Sequence, residues 1–171
     1  MLIRDAVDAD LDAILAIHND AILNTDAIWT EQVVARPDRE AWLAVHIAAG
    51  EPVIVAELDG RVVGYASYGS FRPKTGYRYT VENSVYIDTA LRGRGIGRAL
   101  MVELIARARS AGIHVIVAGI DAGNSASFHL HESLGFERVA LMVQVGTKHG
   151  RWLDLAMLQL RLDDAALPPT A

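Results

Sequence analysis

Between Val85 and Leu100 the chain reads V-Y-I-D-T-A-L-R-G-R-G-I-G-R-A-L. An apolar strand runs into a loop with glycine at 93, 95 and 97 and arginine at 92, 94 and 98, and an apolar-striped helix is predicted at once behind it. Glycine lets backbone approach a ligand with no Cβ in the way. The free N–H groups and dipole at the start of a helix attract an anion. The three arginines add local charge, so the segment reads as a cradle for a pyrophosphate. Spacing narrows the choice. A Walker A loop needs a lysine followed by serine or threonine, and this loop has none. A dinucleotide fingerprint needs a third glycine where Arg98 stands. What remains is R-x-x-G-x-G, at Arg92, Gly95 and Gly97.

Further candidates flank this loop. Glu82 sits inside a strand pattern, T-V-E-N-S-V-Y-I, where acidic residues are depleted; it is either an edge charge facing solvent or a working carboxylate beside the cradle. Asn124 precedes a short helix and can cap it. His129, His131 and Glu132 are close in sequence, but residues at i and i+2 of a helix point apart, so no metal ion is expected. Arg72, in the loop S-F-R-P-K, is either a solvated arginine or a clamp for a small anion. Trp29 and Phe71 are either core or pocket walls.

The rest of the chain must position these groups. Its 171 residues suit one domain, expected over residues 1–162 with a flexible tail over 163–171. Hydrophobic residues make up 51% of the chain, enough for a sizeable core. A formal net charge of −5 argues against non-specific nucleic-acid binding, so the arginine cluster is a point site rather than part of a basic surface. With no cysteine, disulfides and thiol catalysis are excluded. No stretch reads as a signal peptide or a membrane span, and a cytoplasmic protein is expected.

Ile3–Val7 reads as a first strand. Asp8 is the expected N-cap of a helix carrying Leu11, Ile14, Ile17 and Ala21 on one face. A loop with Trp29 follows, then a helix opened by Pro37 and stopped by Gly50. Pro52–Leu58 and Arg61–Gly69 form a hairpin across Asp59-Gly60. After the polar loop Ser70–Gly76, a long strand Tyr77–Asp88 leads into the glycine loop. Ile96, Leu100, Leu104 and Ala108 stripe the next helix. Ile113–Ile120 is a strand buried on both faces. A short helix Ser125–Leu134 and a hairpin, Val139–Val145 with Trp152–Leu162 across a turn at Gly146–Gly150, complete the order βααβββαβαββ.

The R-x-x-G-x-G loop at a strand-to-helix junction resembles the acetyl-CoA loop of the GCN5-related N-acetyltransferase (GNAT) superfamily. The segment from Asn124 to Phe136, N-x-x-S-x-x-L-H-E-x-L-G-F, resembles its second signature, and the element order is similar over nearly the whole chain. The resemblance implies a single-domain α/β (α+β) fold, a mixed central sheet flanked by helices, with acetyl-CoA as co-substrate. It implies that the amides of Gly93, Arg94, Gly95, Ile96, Gly97 and Arg98 hold the pyrophosphate, and that one or two of Arg92, Arg94 and Arg98 reach phosphate oxygens. It further implies that the backbone of Val85, Tyr86 and Ile87 pairs with the pantetheine arm and polarises the thioester carbonyl, and that Asn124 and Ser127 contact CoA.

His131 occupies the position where many members carry a tyrosine that protonates the departing thiolate. It is either that acid or a half-exposed helical histidine. Glu82, directly or through water, is the expected general base for the acceptor amine. The stretches Y-A-S-Y-G-S-F-R-P, T-V-E-N-S-V-Y-I and K-H-G-R-W-L-D resemble the phosphinothricin and methionine sulfoximine/sulfone N-acetyltransferases. That implies a small amino acid-like acceptor held by Trp29, Phe71, Arg72, Pro73, Lys74, Glu82, Asn83 and Ser84, and a homodimer with the final hairpin and Trp152 as its contact. Two alternatives stay open: a polyamine or protein N-terminus as acceptor, and a non-catalytic CoA-binding module.

Overall fold

The computed structural model describes residues 1–165 and 167–168. Eleven regular elements follow the expected order: β1 (Leu2–Asp5), α1 (Leu11–Asn24), α2 (Arg36–Ala49), β2 (Val53–Leu58), β3 (Arg61–Ser70), β4 (Thr80–Ile87), α3 (Ile96–Ser110), β5 (Val115–Asp121), α4 (Ser125–Glu132), β6 (Glu137–Lys148) and β7 (Arg151–Arg161). The strands form one seven-stranded sheet in the order β1-β2-β3-β4-β5-β7-β6. Every neighbouring pair is antiparallel except β4 and β5.

The sheet is covered on both faces. Leu11, Ile14 and Ile17 of α1 and Leu43 of α2 bury against Val53, Val55 and Tyr65. On the other face Leu100, Met101, Leu104 and Ala108 of α3, with Phe128 of α4, pack on Ile54, Ala66, Val81, Ile116 and Leu158. The four-residue apolar spacing of α3 therefore marks its sheet-facing stripe.

Several boundaries differ from the sequence expectation, each for a local reason. Asp8 does not cap α1. A 3-10 turn at Asp8–Asp10 precedes the helix, and the carboxylate that closes it is that of Asp10. Asp10 accepts from the Val7 amide at 2.8 Å and pairs with Arg4 at 2.7 Å, which holds its carboxyl below the usual range. β4 starts at Thr80 because Thr75–Tyr77 is a 3-10 turn. The last turn is shorter than Gly146–Gly150. Lys148 faces Arg151 across His149-Gly150. Both turn residues have left-handed φ, 49° and 69°, the twist that two-residue hairpins favour. β6 also bulges. Three residues between Met142 and Gly146 face one residue of β7, with Gln144 at φ 57°. In the expected tail over 163–171, Asp163 accepts from His114 at 2.9 Å and from the Ala165 amide at 2.9 Å, while residues 166 and 169–171 lie outside the described residues.

Candidate active site

The parallel pairing of β4 with β5 covers only Thr80–Val115, Val81–Ile116 and Glu82–Val117. Beyond Glu82 the two strands part. β4 continues on β3 alone and β5 on β7 alone. Each thus presents an unpaired edge to a cleft of about 1500 Å³, whose walls include residues 82–87 and 118–124. Backbone N–H and C=O groups left free in this way need partners from water or from an extended ligand that pairs like a strand.

The glycine loop forms one end of the cleft. Gly93 and Gly95 have φ of 76° and 78°, and Gly95 is the N-cap of α3. A Cβ penalises that conformation. Gly97 serves a different need. A Cβ there would lie 3.3 Å from Leu130 of α4, so its absence lets the two helices close. Arg92, Gly93, Gly95, Ile96, Gly97 and Arg98 line the cleft, at the positive end of α3. This arrangement fits a pyrophosphate. Arg94, between Gly93 and Gly95, is exposed and is not among the lining residues.

Alternation along β4 sorts its side chains. Glu82, Ser84 and Tyr86 share the α1/α2 face, where Tyr86 packs on Tyr65 and on the edge of His18. Asn83, Val85 and Ile87 share the other face, where Val85 and Ile87 join the core under α3. Glu82 stands at the vertex where the strands part. Its residue is open to solvent across the cleft, yet the surrounding walls strip enough water from the carboxylate to raise its pKa, an effect that the nearby charge of Arg72 opposes. A raised pKa makes this carboxylate a stronger base than an ordinary glutamate, which suits it to taking a proton.

Trp29, in the loop between α1 and α2, lines the same cleft as Glu82. Phe71, Arg72, Pro73 and Lys74, also expected at the acceptor, are not among the residues lining the cleft. Arg72 reaches the site by field alone, its guanidinium stacked 4.8 Å over the Phe71 ring. Pro73 and Lys74 are exposed in the loop behind.

Asn83 and His131 both line the cleft, as expected, and their side chains are also tied into the protein. Asn83 is buried, with its amide directed at His131 Nε2 at 3.1 Å and at the Met101 sulfur at 3.6 Å. His131 is only 2% exposed. Its Nδ1–H donates to the Ser127 carbonyl at 2.8 Å, and its Nε2 accepts from Asn83. Burial lowers its pKa, so the ring is neutral and both nitrogens are committed to protein partners. With both nitrogens engaged by protein groups, His131 ties α4 to β4. Asn124 caps α4 by accepting from the Ser127 amide at 3.0 Å, and both residues line the cleft.

Sequence reasoning missed four contributors to this site. Gly119, on β5, carries no signal beyond being a glycine in an apolar run. Gln144 and Asp154 reach the cleft because β6 bulges, with the Gln144 amide donating to Asp154 at 2.8 Å. Lys148 is buried beneath the Trp29 loop.

The model of the acetyltransferase (GNAT) family matches residues 14–136. The chain is 52% identical over 168 residues to the L-methionine sulfoximine/L-methionine sulfone acetyltransferase of Pseudomonas aeruginosa, covering 98% of each chain. It is 38% identical to the phosphinothricin N-acetyltransferase of Alcaligenes faecalis, covering 97% of this chain and 86% of that one. Among solved structures, an acetyltransferase from Salmonella typhimurium with its cofactor acetyl-CoA superposes with a TM-score of 0.97 at 50% identity, over 100% of this chain and 99% of that one.

Proposed function

The chain belongs to the acetyltransferase (GNAT) family, and from that premise we propose how its cleft transfers an acetyl group from acetyl-CoA to the α-amine of a small amino acid-like acceptor. The proposed acceptors are of the methionine sulfoximine, methionine sulfone and phosphinothricin kind, those of its relatives. One observation carries the reading: Glu82 stands at the vertex where β4 and β5 part, in the cleft that the free strand edges and Trp29 also line.

Acetyl-CoA supplies an activated acyl group as a thioester. The loop Arg92–Arg98 is proposed to hold its pyrophosphate, and the free edge of β4 at Val85–Ile87 its pantetheine arm, with Asn124 and Ser127 at the α4 side. Glu82, directly or through water, takes a proton from the acceptor ammonium so that the amine lone pair is free to attack. A backbone N–H near Ile87 steadies the oxyanion that forms. The C–S bond then breaks, and solvent in the open cleft protonates the sulfur, since His131 is committed elsewhere. No cysteine is present to carry an acyl group, which suits direct attack in a ternary complex. Ser84 and Trp29 shape the acceptor end, and the field of Arg72 favours an acceptor with a carboxylate over a polycation.

Among the described residues no helix is long and apolar enough to cross a membrane. The proposed compartment is the cytoplasm, and the proposed assembly is a homodimer through β6, whose Val139, Leu141, Val143 and Val145 are all at least half exposed.

The test is CoA thiol release from acetyl-CoA with methionine sulfone, methionine sulfoximine, phosphinothricin, spermidine and a short peptide. The chain has no cysteine, so a thiol reagent reads CoA alone. Release with the first three is expected. Release with spermidine or peptide only would overturn the acceptor assignment.

A further inference from the structure

The tip of the last hairpin is fastened to the loop that carries Trp29 at four places. Lys148, 1% exposed, sends its Nζ into the carbonyls of Ile22 at 2.6 Å, Ile28 at 2.8 Å and Thr25. Next to it the His149 amide donates to Glu31 at 2.7 Å, and the Arg151 guanidinium pairs with Asp26 at 2.8 Å. Gly146 lies flat beneath the Trp29 indole: a Cβ built on it would overlap the ring. The indole Nε1–H in turn donates to the Asp26 carbonyl at 3.0 Å.

Lys148 has no carboxylate partner among these contacts. Its three N–H donors meet three carbonyls, which satisfies the ammonium in full. Two of those carbonyls belong to the end of α1, where Ile22 lies in the last turn and Thr25 is the C-cap. Such groups have no partner within the helix. The third belongs to Ile28, beside Trp29. One side chain therefore closes the end of α1 and fixes the course of the following loop. A buried charge that removes its own alternatives in this way is a rigid peg.

We propose that Lys148, with Gly146, is the positioning device of the acceptor wall: it fixes the depth at which Trp29 stands in the cleft that Glu82 also lines and thereby selects the size of the acceptor side chain. This rests on the acceptor reading given above. Neither residue touches the glycine loop, so the device acts on one substrate and leaves the other alone.

The experiment compares wild type with Lys148→Met and Gly146→Ala. The first removes the three donors at similar volume; the second drives a methyl into the indole. With methionine sulfone as acceptor, KM for the acceptor should rise by on the order of tenfold in both variants, while KM for acetyl-CoA stays at the wild-type value. A second readout does not depend on the acceptor. In a Trp42→Phe/Trp152→Phe background Trp29 is the only tryptophan of the three. Acrylamide quenching of its emission should increase with either substitution. Unchanged quenching overturns the positioning role, whatever the acceptor proves to be. Unchanged acceptor KM in an active enzyme overturns it too, as does an acetyl-CoA KM that rises in step. If Lys148→Met does not fold, Gly146→Ala decides by the same readings. A wild type inactive on every amino acid acceptor would instead overturn the acceptor reading, with the quenching result still deciding the device.

Discussion

A Cβ built on Gly119 would lie 3.1 Å from Glu82 Oε1 and 3.4 Å from Leu155. Glycine on β5 therefore leaves the space that the carboxylate occupies at the vertex of the splayed strands. Gly119→Ala is expected to crowd Glu82 and strip more water from it, adding to the burial that already raises its pKa. Rate depends on the ionised form of the base, so the acid limb of the kcat/KM profile should move to higher pH while KM for acetyl-CoA holds. A limb that stays in place would remove Glu82 from the role of base.

Glu82→Gln separates activity from stability. In the folded state the carboxyl is raised above its ordinary value of 4.5. The sign follows from linkage: such a group contributes stability below 4.5, and that contribution is lost as pH rises through the raised value. At neutral pH the ionised carboxylate is thus a burden on the fold. The amide variant should melt at a higher temperature than wild type at pH 7, and the difference should shrink toward pH 4.5. Its kcat should fall by about 10²- to 10⁴-fold. Thermal melts across pH with single-turnover rates check both, and a less stable variant at pH 7 would contradict the cause assigned to the shift.

His18 gives a second pH signature, away from the cleft. Burial, reinforced by the Arg39 charge, lowers its pKa from 6.5 to about 4, and its Nδ1 lies 2.8 Å from the Tyr65 hydroxyl. A lowered folded-state pKa means that the unfolded chain takes up the proton first as pH drops. The stability held above pH 6.5 should therefore drain away down to about pH 4. In His18→Gln the melting temperature should change less across that window, which differential scanning of the two proteins would show.

Much of this was legible in the chain because local rules acted alone. The Asp59-Gly60 turn, the Pro37 and Gly50 ends of α2 and the α3 stripe are set by residues within a few positions of one another. The glycine loop was legible for the same reason. What escaped depends on partners far away in sequence. His131 reads as an available acid until Asn83, 48 residues distant, occupies its Nε2. Lys148 falls in the expected turn of the last hairpin, and its burial depends on carbonyls of Ile22, Thr25 and Ile28, far back in the chain, closing on it. The loop Phe71–Lys74 carried the right chemistry for an anion, but its placement outside the cleft follows from where β3 ends and β4 begins, a matter of sheet register.

The glycines of the loop should fail in different ways. Gly95→Ala forces a left-handed φ of 78° on a residue with a Cβ. The cost is about 1 kcal/mol. The strain falls on the amides at the start of α3, so KM for acetyl-CoA should rise and KM for the acceptor should not. Gly97→Ala meets Leu130 instead, at 3.3 Å. Its penalty should appear as a lower melting temperature, with a smaller change in KM for acetyl-CoA. Steady-state kinetics with each substrate varied in turn would distinguish strain from packing.

The outer face of β6 bears on assembly. Leu141, Val143 and Val145 are 58%, 62% and 52% exposed, and Trp152 on β7 is 66% exposed. Natural edge strands are protected by charge, bulges or cover, and an apolar edge of this length left open invites pairing with another chain. A second copy would bury it by a two-fold contact. Sedimentation velocity of the wild type should give a dimer, and Leu141→Asp/Val143→Asp should give a monomer by placing two charges in that contact. Both substitutions fall on exposed positions, so the monomer should keep its fold by circular dichroism. A wild type that sediments as a monomer over the micromolar range would overturn the assembly and leave the edge unexplained by self-association.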